Sequence, residues 1–264
     1  MRKIIAALDN GPAARPVLGT AIGLGPVLDA TVEALHVTED GDTIARTAAQ
    51  RYGINLRTAP GPVAKALVSA GQAEEVVAEV VGARGTRAGR RPAGHTALEV
   101  ITSLNKAVVV VPPEVALPFA PRRLLFPLEC SLEAGAALED TLQRACECGC
   151  EVIVAHVHDE ASLPLFEDHG LYETDAWTRE FLARYCASAQ ELARVEVRVG
   201  VPAPEILGLA ATTDADLITL GWSQDLSPGH AAVVREVLER SSVPILLLPA
   251  NRAPLVPAPE GAVV

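Results

Sequence analysis

A chain of 264 residues with 49% apolar side chains and a formal net charge of −11 has material for two ordinary cores, at roughly 100–200 residues per domain. The acidic balance and 3% aromatic content argue against nucleic acid as a partner, since phosphate backbones recruit basic surfaces and bases stack on aromatic rings. Arg2-Lys3 opens an apolar run that Asp9 stops after five residues, too short for a signal core, and no run nears the ~20 residues of a membrane span, so the expectation is a cytoplasmic protein without membrane contact.

Taken in chain order, short apolar runs alternate with helical stretches. Ile4–Leu8 reads as a buried strand, Pro12–Leu28 as a helix, Thr31–Val37 as a strand, Ile44–Tyr52 as a helix and Asn55–Thr58 as a short strand. Val63–Ala70 follows as a helix, Glu75–Val81 as a strand, Ala97–Asn105 as a helix and Ala107–Val111 as a last strand. The second half gives strands at Leu124–Leu128, Glu151–Val157, Val195–Val199, Leu217–Leu220 and Pro244–Leu248. Its helices fall at about Glu133–Cys148, Asp175–Arg194, Pro204–Ala211 and Ala231–Arg240. Runs such as Val108–Val111 fit strands covered on both faces, and strands separated by helices make βαβ units.

The halves repeat one another. Arg2–Asp9 answers to Arg122–Glu129, and His36-Val37 answers to His156-Val157 at the same offset of 120 positions. Gly82 corresponds to Gly221, Gly94-His95 to Gly229-His230 and Pro112 to Pro249. Anchors kept in one order mark a duplication. The expected fold class is α/β: two tandem open parallel five-stranded α/β/α domains of Rossmann-like type, over residues 1–120 and 121–250. A Pro-rich, flexible tail over residues 251–264 follows, and Asp159–Thr174 is an acidic insertion with no counterpart in the first half.

In an open parallel sheet, ligands bind beyond the carboxyl ends of the strands, where strand order reverses. Asp9-Asn10-Gly11, Val37 and the loop Gly82–Thr96 converge there in the first half. That loop carries four glycines before its helix and the arginines Arg84, Arg87, Arg90 and Arg91 in an otherwise acidic chain. Glycines admit backbone N–H groups close to an anion, and the following helix offers its positive end. Thr96-Ala97-Leu98-Glu99 fits a capping box that starts the helix at this point. The combination suits a phosphate-bearing ligand.

Asp9, His36-Val37, Gly61-Pro62, Gly82-x-x-Gly85 and Gly94-His95-Thr96 resemble the pattern of universal stress protein domains, and both halves resemble that family over essentially their whole length. The resemblance implies an adenine-nucleotide alpha hydrolase-like fold and an ATP or related adenine-nucleotide site with no metal beyond a nucleotide-bound Mg ion. It also implies a stress-response regulator rather than a catalyst, with at most weak ATP hydrolysis. It assigns the adenosine part to Asp9 and Val37, and the phosphates to Gly82, Arg84, Gly85, Gly94, His95 and Thr96. The sequence departs from the pattern in the Gly85-to-Gly94 spacing, one residue short, and in His95, where a small hydroxyl residue is usual. By the same resemblance Ala107–Val111 and Pro244–Leu248 would pair the two domains within the chain; a further homodimer and an unidentified protein partner stay open.

The second half keeps the framework and alters the loop. Gly221 is followed by Trp222–His230 without a second glycine before Gly229 and without arginine, Asp225 adds negative charge, and Glu129 replaces Asp9. Ser227-Pro228 reads as an N-cap with proline at the first helical position, which would start that helix early and close an anion pocket. A degenerate second site is the expectation. The competing readings are a scaffold in which neither site binds nucleotide and an enzyme on an adenylated substrate, for which no base or nucleophile stands out.

Cys130, Cys146, Cys148, Cys150 and Cys186, all in the second half and odd in number, do not form a secreted disulfide framework. The Cys146–Cys150 cluster lacks the paired hooks of structural zinc sites and reads as buried or weakly reactive thiols. His36 and His156 read as packed or hydrogen-bonded side chains, and Trp177 as a core or interface residue.

Overall fold

The computed structural model describes residues 1–38, 41–83, 94–129, 132–158, 179–186, 192–227 and 230–250, with the side chains of residues 132 and 133 left aside. The first half runs β1 (Lys3–Leu8), α1 (Ala14–Leu28), β2 (Thr31–Val37), α2 (Thr43–Arg51), β3 (Leu56–Ala59), α3 (Val63–Gly71), β4 (Val76–Gly82), α4 (His95–Ser103) and β5 (Ala107–Val111). The second runs β6 (Arg123–Pro127), α5 (Leu132–Glu147), β7 (Glu151–His158), β8 (Ala193–Val199), α6 (Pro202–Thr212), β9 (Leu217–Trp222), α7 (Ala232–Arg240) and β10 (Ile245–Pro249), with a helical segment at 179–185 before β8.

All ten strands form one sheet in the order β3-β2-β1-β4-β5-β10-β9-β6-β7-β8. Every pairing within a half is parallel, and the only antiparallel pairing among the described strands joins β5 to β10 through Val110–Ile245, Val109–Leu246 and Val108–Leu247. The five residues of β5 and the five of β10 are all buried. That explains their unbroken aliphatic composition, because helices cover both faces there. Side chains alternate between two core layers: one under α1, α2, α5 and Phe181-Leu182, the other under α3, α4, α6 and α7.

The segment between β5 and β6 crosses α1. Leu117 lies over Gly19 and Phe119 over Gly23, both close enough that a Cβ on either glycine would overlap them. Helices α1 and α5 meet on the same face, and Arg144 reaches Asp29 at 3.6 Å.

The expected helix over Asp175–Arg194 is corrected at its end. Ala193 and Arg194 already belong to β8, where they pair with Val152 and Ile153 of β7. Helical periodicity does not report this boundary, since Ala and Arg suit a helix as well as an edge strand. The Asp159–Thr174 insertion, Trp177, Cys130 and the tail from Asn251 lie outside the described residues. Among the described residues no helix is long and apolar enough to cross a membrane.

Candidate functional site

Strand order in the first half reverses between β1 and β4, and a cavity of about 570 Å³ opens there at the carboxyl ends of β1, β2 and β4. Its size lies within the range of small-molecule sites, roughly 300–1,000 Å³. The apolar wall comes from Val17, Leu35, Val37, Val63, Leu67 and Val81, and the polar positions from Asp9, Asn10, His36 and the start of α4. Six of the eight residues singled out in the sequence, Asp9, Val37, Gly82, Gly94, His95 and Thr96, line this one space. Arg84 and Gly85 lie outside the described residues.

Each polar group has a definable role in the local backbone. Asp9 Oδ1 accepts the Gly11 N–H at 3.2 Å, closing a turn at the end of β1, while Oδ2 accepts no hydrogen bond from the described residues. Asn10 Oδ1 accepts the Ile44 N–H at 2.7 Å and so holds the start of α2 over the cavity rim. His36, buried, sits between two backbone carbonyls: Nδ1 is 2.8 Å from the Leu8 oxygen and Nε2 is 2.7 Å from the Gly41 oxygen. A neutral ring donates to one of these oxygens and an imidazolium to both. Its twin His156 keeps the inner contact, with Nδ1 2.9 Å from the Leu128 oxygen. These histidines are structural ties between the first two strands of each half, in keeping with the sequence reading.

Helix α4 starts earlier than the Thr96 capping box implies. Gly94 is the N-cap with extended geometry (φ −55°, ψ 155°), no side chain caps the helix, and His95 and Thr96 are already helical. Glu99 lies 3.7 Å from His95 Nδ1 instead of reaching back to a cap. The Gly94 N–H donates to the Ala83 carbonyl at 2.9 Å, fixing the helix start against the end of β4. The first intrahelical bond runs from Leu98 N–H to the Gly94 carbonyl, so the N–H groups of His95, Thr96 and Ala97 are the ones that a helix start leaves for a ligand. The His95 imidazole is 92% exposed at the mouth of the cavity.

The second half differs where its sequence does. Helix α7 does not begin at Ser227; it begins at Ala232, with Ala231 as an N-cap in the left-handed region at φ 49°. The Ser227 N–H is taken by Asp225 Oδ1 at 2.8 Å and the Ser227 carbonyl accepts the His230 N–H at 3.0 Å, forming a local turn that competes with helix initiation. Hydrogen bonds from Ser227 hold the Asp225 carboxyl below its ordinary pKa, keeping a negative charge in this loop. Trp222, 5% exposed, buries an indole where the first half has Ala83.

Among the described residues no group of three His, Cys, Asp or Glu side chains is arranged to hold a metal ion. Burial raises the thiol pKa of Cys146 and Cys150 and pushes that of Cys186 to about 12, so these three carry thiols rather than thiolates at neutral pH. The sequence reading brought Asn10 to the ligand end of the sheet without giving it a contact, and did not single out Gly41. Their signals were present in the Asp9-Asn10-Gly11 turn and in Gly41, whose φ of 82° marks a tight turn.

Residues 121–249 match the model of the universal stress protein family. No curated protein matches the chain in sequence. A universal stress protein from Archaeoglobus fulgidus matches over 94% of this chain and 98% of its own, at 16% identity and a TM-score of 0.67. A putative universal stress protein from Pseudomonas aeruginosa matches over 94% and 93%, at 15% identity and a TM-score of 0.69. A universal stress protein in complex with cAMP matches 49% of this chain and 98% of its own, at 19% identity and a TM-score of 0.38. At these identities the full-length matches speak for the fold.

Proposed function

We propose that this chain is a tandem member of the universal stress protein family, whose model residues 121–249 match, and that its first half binds ATP or a related adenine nucleotide, acting as a regulator by binding rather than by turnover. The observation that carries the reading is the cavity at the β1/β4 switch point, which brings Asp9, Val37 and the N-terminus of α4 to one space. The Asp9 oxygen outside its own turn and the apolar wall around Val37 suit the adenosine part. The first turn of α4 suits phosphate oxygens, since backbone donors and the helix dipole favour an anion there. His36 is held between two carbonyls, and the reading gives the second Asp9 oxygen to the adenosine part, away from the phosphates. The second half, with Asp225 in its loop and Trp222 behind it, takes the part of a partner domain without an ordinary nucleotide site. The antiparallel β5–β10 pairing supports an intramolecular association of two such domains.

Calorimetric titration with ATP, ADP, AMP, cAMP and adenosine tests the reading. Wild type should bind at least one of the phosphate-bearing ligands below millimolar concentration; no binding of any nucleotide at millimolar concentration would refute it. Thr96→Glu is the informative variant. A carboxylate in the first turn of a helix favours folding by roughly 0.3–1 kcal/mol, yet it puts like charge against phosphates. The variant should keep the wild-type melting temperature, lose ATP affinity by about tenfold or more, and retain adenosine binding; equal loss of ATP and adenosine would remove the phosphates from the α4 end of the cavity.

A further inference from the structure

The loop that follows β9 holds a side chain in an unusual place. Gln224 is in the left-handed region at φ 62°, a conformation that glycine adopts readily and a side chain adopts at a cost. The offset that carries Gly82 onto Gly221 carries Gly85 onto Gln224. A position that is glycine in the first copy therefore has a left-handed backbone and an amide side chain in the second.

That amide reaches into the other half. Gln224 Nε2 donates to the Leu104 carbonyl at 2.9 Å and to the Ile101 carbonyl at 3.3 Å. Both carbonyls lie in the last turn and cap of α4, among the groups that a helix end leaves without intrahelical partners. No basic residue stands in the last turn of α4, and the Leu104 N–H closes on the Val100 carbonyl, so the Gln224 amide serves two later carbonyls of this end. The opposite end of the same helix, Gly94 to Ala97, edges the candidate cavity. Helix α4 is nine residues long, and a short helix moves as one body.

We infer that Gln224 is a positioning residue for the first half's pocket: the loop of the second copy has exchanged ligand binding for a latch that holds α4 by its C-terminus and so fixes the donor-bearing N-terminus at the cavity. The inference rests on the nucleotide reading for its consequence, while the latch itself can be measured without ligand. Two variants separate donation from backbone strain. Gln224→Gly keeps the left-handed backbone at ease and removes the amide. Gln224→Glu keeps the shape and presents a carboxylate that cannot donate at neutral pH.

Hydrogen exchange of the ligand-free protein should show the Leu98–Leu104 amides exchanging about tenfold faster in both variants, with β6 and β7 unchanged. Titration should show ATP affinity weakened about three- to tenfold in both. Unchanged α4 protection overturns the latch. Faster exchange with unaltered ATP affinity overturns its role at the pocket, and recovery of wild-type behaviour by Gln224→Glu does the same for hydrogen-bond donation. If wild type binds no nucleotide, the proposed function fails and with it the role at the pocket, while the exchange arm still decides whether the second copy holds α4.

Discussion

Gly23→Ala should lower the melting temperature by about 5 °C, whereas Gly19→Ala, one helical turn earlier, should leave it unchanged or raise it. Both glycines lie on the face of α1 crossed by the segment between the halves. A Cβ at Gly19 would come within 2.3 Å of Leu117 Cδ2, the far end of a flexible side chain that can rotate away. A Cβ at Gly23 would come within 2.2 Å of the Phe119 carbonyl oxygen and 3.0 Å of its carbon, and backbone cannot rotate away without moving the whole crossing. Alanine gains about 1 kcal/mol over glycine inside a helix, which decides the sign at Gly19. At Gly23 that gain is outweighed by overpacking, typically about 1–3 kcal/mol, and by lost burial of Phe119. Thermal unfolding of the two variants checks this. Equal shifts would mean that the crossing segment does not rest on α1.

The sheet was legible because its strands are nearly continuous aliphatic runs, and the duplication fixed their order twice over. Ala107–Val111 and Pro244–Leu248 were identified as the joining pair by resemblance, and the structure joins β5 to β10, with β10 displaced to Ile245–Pro249. Helix starts were less legible. Thr96 and Glu99 have the spacing of a capping box, yet Gly94 caps α4 because its N–H is drawn to the Ala83 carbonyl, a tertiary constraint with no local pattern. Ser227-Pro228 has the look of a helix start, but Asp225 takes the Ser227 N–H into a turn of its own. Six pocket residues were identifiable because a loop at the end of a parallel strand must reach the switch point. Gln224 could not be identified, since its role depends on where another half's helix ends.

Glu79 is the second site with a large expected effect. It lies in the middle of β4, 0% exposed, and both carboxylate oxygens lack a hydrogen-bond partner. The run Val76-Val77-Ala78-Glu79-Val80-Val81 carries an ionisable side chain where both faces of the sheet are covered, and burial alone lifts the carboxyl to about 8. The second half shows the alternative. Glu79 is opposite Ile5 and Val108, and Ile218 is opposite Leu125 and Ile245, the corresponding residues of the repeat. The same offset carries Gly71, whose added Cβ would lie 2.8 Å from Glu79 Oε2, onto Ala210. Gly71 leaves room for the longer carboxylate; the twin fills that room with a methyl group beside a shorter aliphatic chain.

Glu79→Ile should therefore raise the melting temperature, and by an amount that grows with pH. With the carboxyl near 8 in the folded chain and near its ordinary 4.5 in an unfolded one, the folded chain retains a proton that the unfolded chain releases throughout the interval. Rising pH then favours unfolding of wild type by about 1.4 kcal/mol per pH unit within that window. The loss is absent below about 4.5 and complete above about 8. At pH 5 the variant should gain roughly 1–3 kcal/mol, from removing a buried carboxylic acid without partners. At pH 9 the gain should reach roughly 6–8 kcal/mol, more than about 10 °C at about 2–4 °C per kcal/mol. Gly71→Ala alone should destabilise through its contacts with the carboxylate and with the buried Leu104 methyl groups, and should destabilise less once Glu79→Ile has removed the first of these. Melting curves of the four proteins at pH 5, 7 and 9 test both statements. A stability difference that does not grow with pH would mean that the Glu79 carboxyl ionises as it would in water, and therefore that β4 is not covered on both faces.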